Sequence, residues 1–228
     1  MLLKDLLFLA QATDSAELSE FVAPSKTDVD TKVCVVYGGR FQPFHKGHWM
    51  VYRWLCKKFD ADNVWIATSN KTNFDSSKGD VSPFNFKEKQ ELMVTLYGIK
   101  PRRVVQSNNP AFAPKEVWGL YKGYKLVYVA AVGEKDLERY KSSNFFSKFP
   151  GDLKPTSGLG ELNTLDTKKG YYVTVPSMSD GTSGTTVREA ILAVKDDEKA
   201  VEKVFRKYFG EYDHVIADMV VAKLKDVK

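Results

Sequence analysis

The sequence predicts an α/β protein built on a doubly wound, mainly parallel sheet with helices on both faces, with short helical additions at each end. Continuous apolar runs such as "KVCVVYGG" and "NVWIATSN" read as strands buried on both faces. Each is followed by a segment with helical apolar spacing, the alternation that produces parallel sheets. The length, 228 residues, suits one sizeable core with terminal additions better than two full domains.

The elements follow in order. "MLLKDLLFLAQ" is interrupted by Lys4 and Asp5 and precedes no clean cleavage site, so Leu2 to Gln11 reads as a short amphipathic helix and not as a signal peptide. A polar linker then leads to the main domain, giving expected divisions of 1–31, 32–194 and 195–228. "KVCVVYGG" is the first strand, and "GHWMVYRWLCKKF" a helix with Trp49, Val51, Tyr52, Leu55 and Cys56 on one face. "NVWIATSN" is the second strand, and "SPFNFKEKQELMVTLYGI" an N-capped helix ending at Gly98. "RRVVQS", "KLVYVAAVGE" and "YYVTVP" complete five strands, with "EVWGLYKGY" a short helix among them. "TTVREAILAV", "EKAVEKVFRKYF" and "HVIADMVVAKL" are the closing helices. The Gly/Ser/Lys-rich stretch at about 141–170 reads as an inserted lid or partner-binding loop.

Composition narrows the function. Thirty-four Lys and Arg against 29 Asp and Glu leave a net charge of +5, spread along the chain. That suits an anionic small substrate and is too scattered for a nucleic-acid surface. Cys34 and Cys56 match neither a disulfide framework nor a metal knuckle, and read as buried small residues of a cytoplasmic protein. No segment is long enough to span a bilayer. The terminal helices are where a second copy or an assembly partner would dock.

The turn "GGRFQPFHKGH" holds two of the chain's three histidines, His45 and His48. It lies after a strand and before a helix, where doubly wound sheets bind ligands. Its glycines can adopt positive φ, and the helix start offers unpaired N–H groups, so the turn is suited to a phosphoryl group.

These residues resemble the [HT]-x-G-H signature of the nucleotidyltransferase superfamily. "SGTTVREAI", Ser183 to Ile191, is similar to that superfamily's second signature. "SPFNFKEKQELM" resembles a Pro-Phe-Thr-x-x-Glu-Arg segment of archaeal-type nicotinamide mononucleotide adenylyltransferases, with Lys89 in place of the arginine. "VAAVGEKDLERY" resembles a Gly-x-Asp strand end, with one residue more. The resemblance implies a Rossmann-like domain that transfers a nucleoside monophosphate, AMP from ATP first among the options, to a phosphorylated small acceptor. Nicotinamide mononucleotide, giving NAD, is the leading acceptor.

It also implies roles. His45, His48 and Arg188 are the catalytic candidates, the histidines at the α-phosphate and Arg188 at the leaving phosphates. Gly39, Arg40, Phe41, Lys46, Gly133, Asp136, Ser183, Gly184, Thr185 and Thr186 are the nucleotide-binding candidates. Lys89 and Trp118 are the acceptor candidates. Mg²⁺ is expected to arrive with the triphosphate, without protein ligands of its own. Each has a competing reading: Arg188 as a solvated helix residue, Lys46 and Lys89 as surface lysines, and Trp118 with Tyr121 as core. CTP-dependent transfer to an alcohol phosphate, phosphopantetheine adenylyltransferase and ATP sulfurylase stay open. So does an inert nucleotide-binding module in an assembly. An aminoacyl-tRNA synthetase is disfavoured by length and by the lack of a basic stripe.

Overall fold

The computed structural model describes residues 31–110, 112, 115–151, 162, 164–178 and 181–227. The expected helix at Leu2–Gln11 and its linker lie outside the described residues, as does much of the expected insertion, 152–161 and 163. Six strands form one sheet: β1 (Thr31–Gly38), β2 (Val64–Thr68), β3 (Val104–Gln106), β4 (Lys125–Val132), β5 (Phe146–Lys148) and β6 (Gly170–Thr174). Their order is β3-β2-β1-β4-β6-β5, and every pairing is parallel. β1 is central, with Val35 facing Val64 on one side and Val129 on the other.

Alternation along β1 divides the core. Val33, Val35 and Tyr37 belong to one cluster, and Cys34 and Val36 to the other. On the first face lie α1 (Lys46–Phe59), α2 (Phe86–Tyr97), α5 (Gly184–Leu192), α6 (Glu198–Tyr208) and α7 (His214–Lys225). The second face is covered by the short α3 (Lys115–Trp118) and α4 (Leu137–Lys141), with an aromatic group of Phe112, Tyr140 and Phe146. The doubly wound, Rossmann-like architecture is therefore present, with its two helical layers unequal.

Helix ends follow local chemistry. Asn85 caps α2 by accepting from the Glu88 N–H, and the Glu88 carboxylate accepts from the Asn85 N–H. Gly98 ends that helix in the left-handed conformation at φ 63°. Ser183, Asp197 and Asp213 cap α5, α6 and α7. Lys223 of α7 pairs with Glu88 at 2.8 Å, tying the C-terminal helix to α2.

One sequence expectation is corrected: the stretch read as a loop from about 141 opens with packed structure. Phe146–Lys148 forms an edge strand on β6, and Phe146 and Phe149 are buried. Three residues are too few to show alternation, which hid the strand in a Ser/Lys-rich segment. Cys34 is buried in β1 and Cys56 half-buried in α1, both as free thiols. No helix among the described residues is long and apolar enough to cross a membrane.

Candidate active site

Strand order reverses between β1 and β4, and a cavity of about 370 Å³ opens at their carboxyl ends. Its walls come from four connections, one of them the β2–α2 loop with Asp80 and Val81. The turn after β1 supplies Gly39, Arg40, Phe41, Gln42 and His48. The end of β4 supplies Gly133 and Asp136, and the start of α5 supplies Ser183, Gly184, Thr185 and Arg188.

The first turn is held by its side chains. Phe41 has φ 48°, unusual for a residue other than glycine, and its ring packs edge-on against Tyr37, Phe44 and His48 at 5.2, 5.2 and 5.0 Å. The expectation that glycine supplies positive φ in this turn is corrected. Gly39 is required instead because a Cβ there would lie 2.8 Å from the Phe41 ring. The Gln42–Pro43 peptide is cis.

His45 is the N-cap of α1, and its Nδ1 accepts from the Gly47 N–H at 3.2 Å. The Nδ1 of His48 accepts from the His45 N–H at 3.3 Å. With both Nδ1 atoms used as acceptors, each neutral ring carries its proton on Nε2. Burial lowers the His45 pKa to about 4, and burial together with the neighbouring His45 pushes His48 well below its ordinary value. The two rings lie 3.8 Å apart. His48 lines the cavity, whereas His45 is 2% exposed and sits behind it. His48 therefore faces the cavity with His45 packed behind it.

Arg188 joins the two signature turns across 146 residues of sequence. Its Nη1 donates to the Gln42 carbonyl at 2.6 Å and its Nη2 to Thr185 Oγ1 at 3.1 Å. Burial, then the charge of Arg40, lowers its pKa, with Glu189 and Asp80 opposing. Gly184 leaves room for this approach, since a Cβ there would come within 2.5 Å of the Gln42 carbonyl oxygen. Arg40 pairs with Asp80 at 2.6 Å on the cavity wall.

Other expectations fall away from the cavity. Lys89 is neither a surface lysine nor a cavity residue: it is 1% exposed beneath the turn. Its Nζ donates to the Arg40 carbonyl at 3.2 Å, to Thr68 Oγ1 at 2.9 Å and to the Ser69 carbonyl. Burial lowers its pKa to about 8. Helical spacing carried a signal, because Lys89 shares a face with Leu92, Met93 and Leu96. Trp118 packs against Tyr128 in the second-face core, 5.4 Å between rings, which favours its core reading over acceptor contact. Lys46 is exposed at the start of α1, its stem beside Gly210, and Thr186 turns to Ser183 at 3.0 Å; neither lines the cavity.

Sequence reasoning missed Gln42, Asp80 and Tyr140 on the cavity wall. Gln42 uses its side-chain amide to pair with the backbone of Phe84, donating to the carbonyl at 2.8 Å and accepting from the N–H at 2.9 Å. Its position inside "GRFQPF" was the available signal. Among the described residues, no group of three or more His, Cys, Asp or Glu side chains is placed to hold a metal ion.

The cytidylyltransferase-like family model matches residues 36–141, from within β1 to the end of α4. No curated protein matches the chain. Among solved structures, a Plasmodium falciparum nicotinic acid mononucleotide adenylyltransferase complexed with APC aligns at 15% identity and TM-score 0.45, over 85% of this chain and 96% of that one. The same enzyme complexed with NaAD aligns at 15% and 0.45, over 84% and 95%. A bifunctional NMN adenylyltransferase/ADP ribose pyrophosphatase from Francisella tularensis aligns at 17% and 0.43, over 87% of this chain and 50% of that one.

Proposed function

We propose that the chain is a nucleotidyltransferase that moves AMP from ATP onto the phosphate of nicotinamide mononucleotide, forming NAD and releasing pyrophosphate. The observation that carries this reading is the meeting of His48 and Arg188 on one cavity, fastened through the Gln42 carbonyl. An acceptor phosphate oxygen attacks the α-phosphorus as the bond to the pyrophosphate oxygen breaks, so no proton need leave the attacking group. The protein's share is alignment and charge stabilisation.

His48, neutral with its proton on Nε2, donates to a phosphoryl oxygen, and His45 fixes its orientation from behind. Arg188 and the Thr185 hydroxyl face the leaving phosphates from the start of α5, whose N–H groups favour anions. Gly133 and Asp136 line the side where the adenosine portion would sit. A Mg²⁺ ion would enter this cavity as a passenger on the triphosphate, held by phosphoryl oxygens and water and not by a protein cage, and would offset charge on the phosphoryl oxygens.

The test is pyrophosphate release with ATP or CTP against nicotinamide mononucleotide, nicotinic acid mononucleotide, phosphopantetheine and alcohol phosphates. ATP with nicotinamide mononucleotide should be the fastest pair, and His48→Ala should lower its turnover about 10²- to 10³-fold. A CTP preference with an alcohol phosphate would reassign the substrates. Nucleotide binding without release from any pair would make the chain an inert binder.

A further inference from the structure

Asp80 reaches the cavity from the connection between β2 and α2, which is braced within itself. Asn73 and Ser82 exchange backbone hydrogen bonds at 2.9 and 2.7 Å, and Asn73 Nδ2 donates to the carbonyls of Gly79 and Asp80 at 3.4 and 3.2 Å. Gly79, at φ 112°, makes the bend that precedes Asp80. The loop therefore presents a carboxylate at the cavity wall as a small unit. There it meets a cation, with Asp80 Oδ2 2.6 Å from Arg40 Nη1, and both side chains are well exposed, 75% and 62%.

The two cavity arginines are held differently. Arg188 is held in place by the Gln42 carbonyl and Thr185, one bond from each terminal nitrogen. Arg40 is half of an exposed ion pair, which is weak and easily exchanged. A carboxylate and a phosphoryl group compete for the same guanidinium donors, and Asp80 takes Arg40 through a single contact.

We propose that Asp80 is a built-in competitor for the phosphate site: its carboxylate occupies Arg40 until a polyphosphate displaces it, and so sets the affinity for the incoming anion. This rests on reading the cavity as a triphosphate site. A ligand with several phosphates gains Arg188, the α5 N-terminus and Arg40 together, and meets the cost of breaking the pair. A single weak anion exchanges one charge for another at Arg40 and gains little.

Calorimetric titration of inorganic tripolyphosphate, in chelator and at low salt, tests this without reference to any reaction. Asp80→Asn should bind about fivefold more tightly than the wild type, the upper end for release of an exposed ion pair. Asp80→Glu, which keeps the charge, should stay within about twofold. In an Arg40→Gln background the Asp80→Asn gain should disappear, because the competitor has lost its cation. Unchanged or weaker tripolyphosphate binding in Asp80→Asn overturns the proposal, as does a gain that persists without Arg40 or no binding in either protein. Weaker Mg·ATP binding in Asp80→Asn would make the carboxylate a metal contact and also overturns it. Pyrophosphate release reads the parent reading separately. A tripolyphosphate gain with no transfer to any acceptor sinks the transferase alone, while intact transfer with no gain sinks the competitor alone.

Discussion

Replacing Gly184 by alanine tests whether the α5 start and the histidine turn are one construction. The added Cβ would sit 2.5 Å from the Gln42 carbonyl oxygen and 3.1 Å from its carbon, about 0.9 Å short of ordinary contact at 3.4 Å. Both atoms are backbone in a buried turn pinned to Phe84, so neither can yield as a side-chain tip would. The N-terminus of α5 must therefore back away, and the 2.6 Å bond from Arg188 to the same oxygen lengthens with it. Overpacking of this kind costs about 1–3 kcal/mol, and a charged hydrogen bond about 1.5–3 kcal/mol. The two losses overlap, because one shift causes both, and alanine regains a few tenths through helix propensity. A net loss of about 2 kcal/mol would lower Tm by roughly 4–8 °C in a protein of this size. Gly133→Ala is the control: it lines the same cavity at φ −70°, and a Cβ there meets nothing within 4 Å. Its stability should stay within about 0.5 kcal/mol of wild type. Thermal unfolding of both variants decides the matter. Wild-type Tm in Gly184→Ala, or an equal fall in Gly133→Ala, would refute the coupling.

The histidines predict acid sensitivity. Their folded pKa values are depressed, so below the ordinary value of 6.5 the unfolded chain binds protons that the fold refuses; stability is full above 6.5 and falls as pH drops toward about 4. His45 alone should account for roughly 2 kcal/mol between about pH 7 and about pH 4.5, read by denaturant unfolding at those two values. Arg188→Lys keeps a charge but cannot span both the Gln42 carbonyl and Thr185 Oγ1, so turnover should fall more than nucleotide affinity when rates and calorimetry are compared. Lys89→Met should lose about 2 kcal/mol by orphaning the Arg40 and Ser69 carbonyls, and hydrogen exchange should quicken across residues 39–44; unchanged exchange there would remove its positioning role.

The sheet was legible because its strands are buried on both faces, which leaves long apolar runs such as Val33–Tyr37 with no competing helical period. β5 was not, since a three-residue edge strand takes its place from Phe145, Phe146 and Phe149 packing against what precedes it. Around the site, residues that use side chains in a signature turn, His48 and Arg188, were named from sequence and line the cavity. Gln42 escaped in part because its carbonyl is what Arg188 takes hold of, and backbone groups leave no trace in residue identity; only its place inside "GRFQPF" pointed to its side chain. Asp80 escaped because an acidic residue in "SSKGD" looks like any solvated loop charge until the loop's own hydrogen bonds carry it to Arg40.

The histidine turn is clamped by two cations from two helices, and each takes hold of a carbonyl. Lys89 of α2 binds the Arg40 oxygen from beneath, and Arg188 of α5 binds the Gln42 oxygen from the far wall. Phe41, with its positive φ, lies between the two pinned groups. In a planar trans peptide the carbonyl and the following N–H point in opposite directions, so holding the Arg40 oxygen on Lys89 turns the Phe41 N–H away from that buried network. The next pinned carbonyl is followed by Pro43, which has no N–H to satisfy, and so Arg188 can take the Gln42 oxygen without orienting an orphan donor behind it. Position by position, "RFQP" then has a physical reading. Arginine contributes a carbonyl to the clamp and a side chain to the mouth, phenylalanine closes the turn on Gly39, glutamine fastens it to Phe84 and Arg188, and proline follows where a donor would have been stranded.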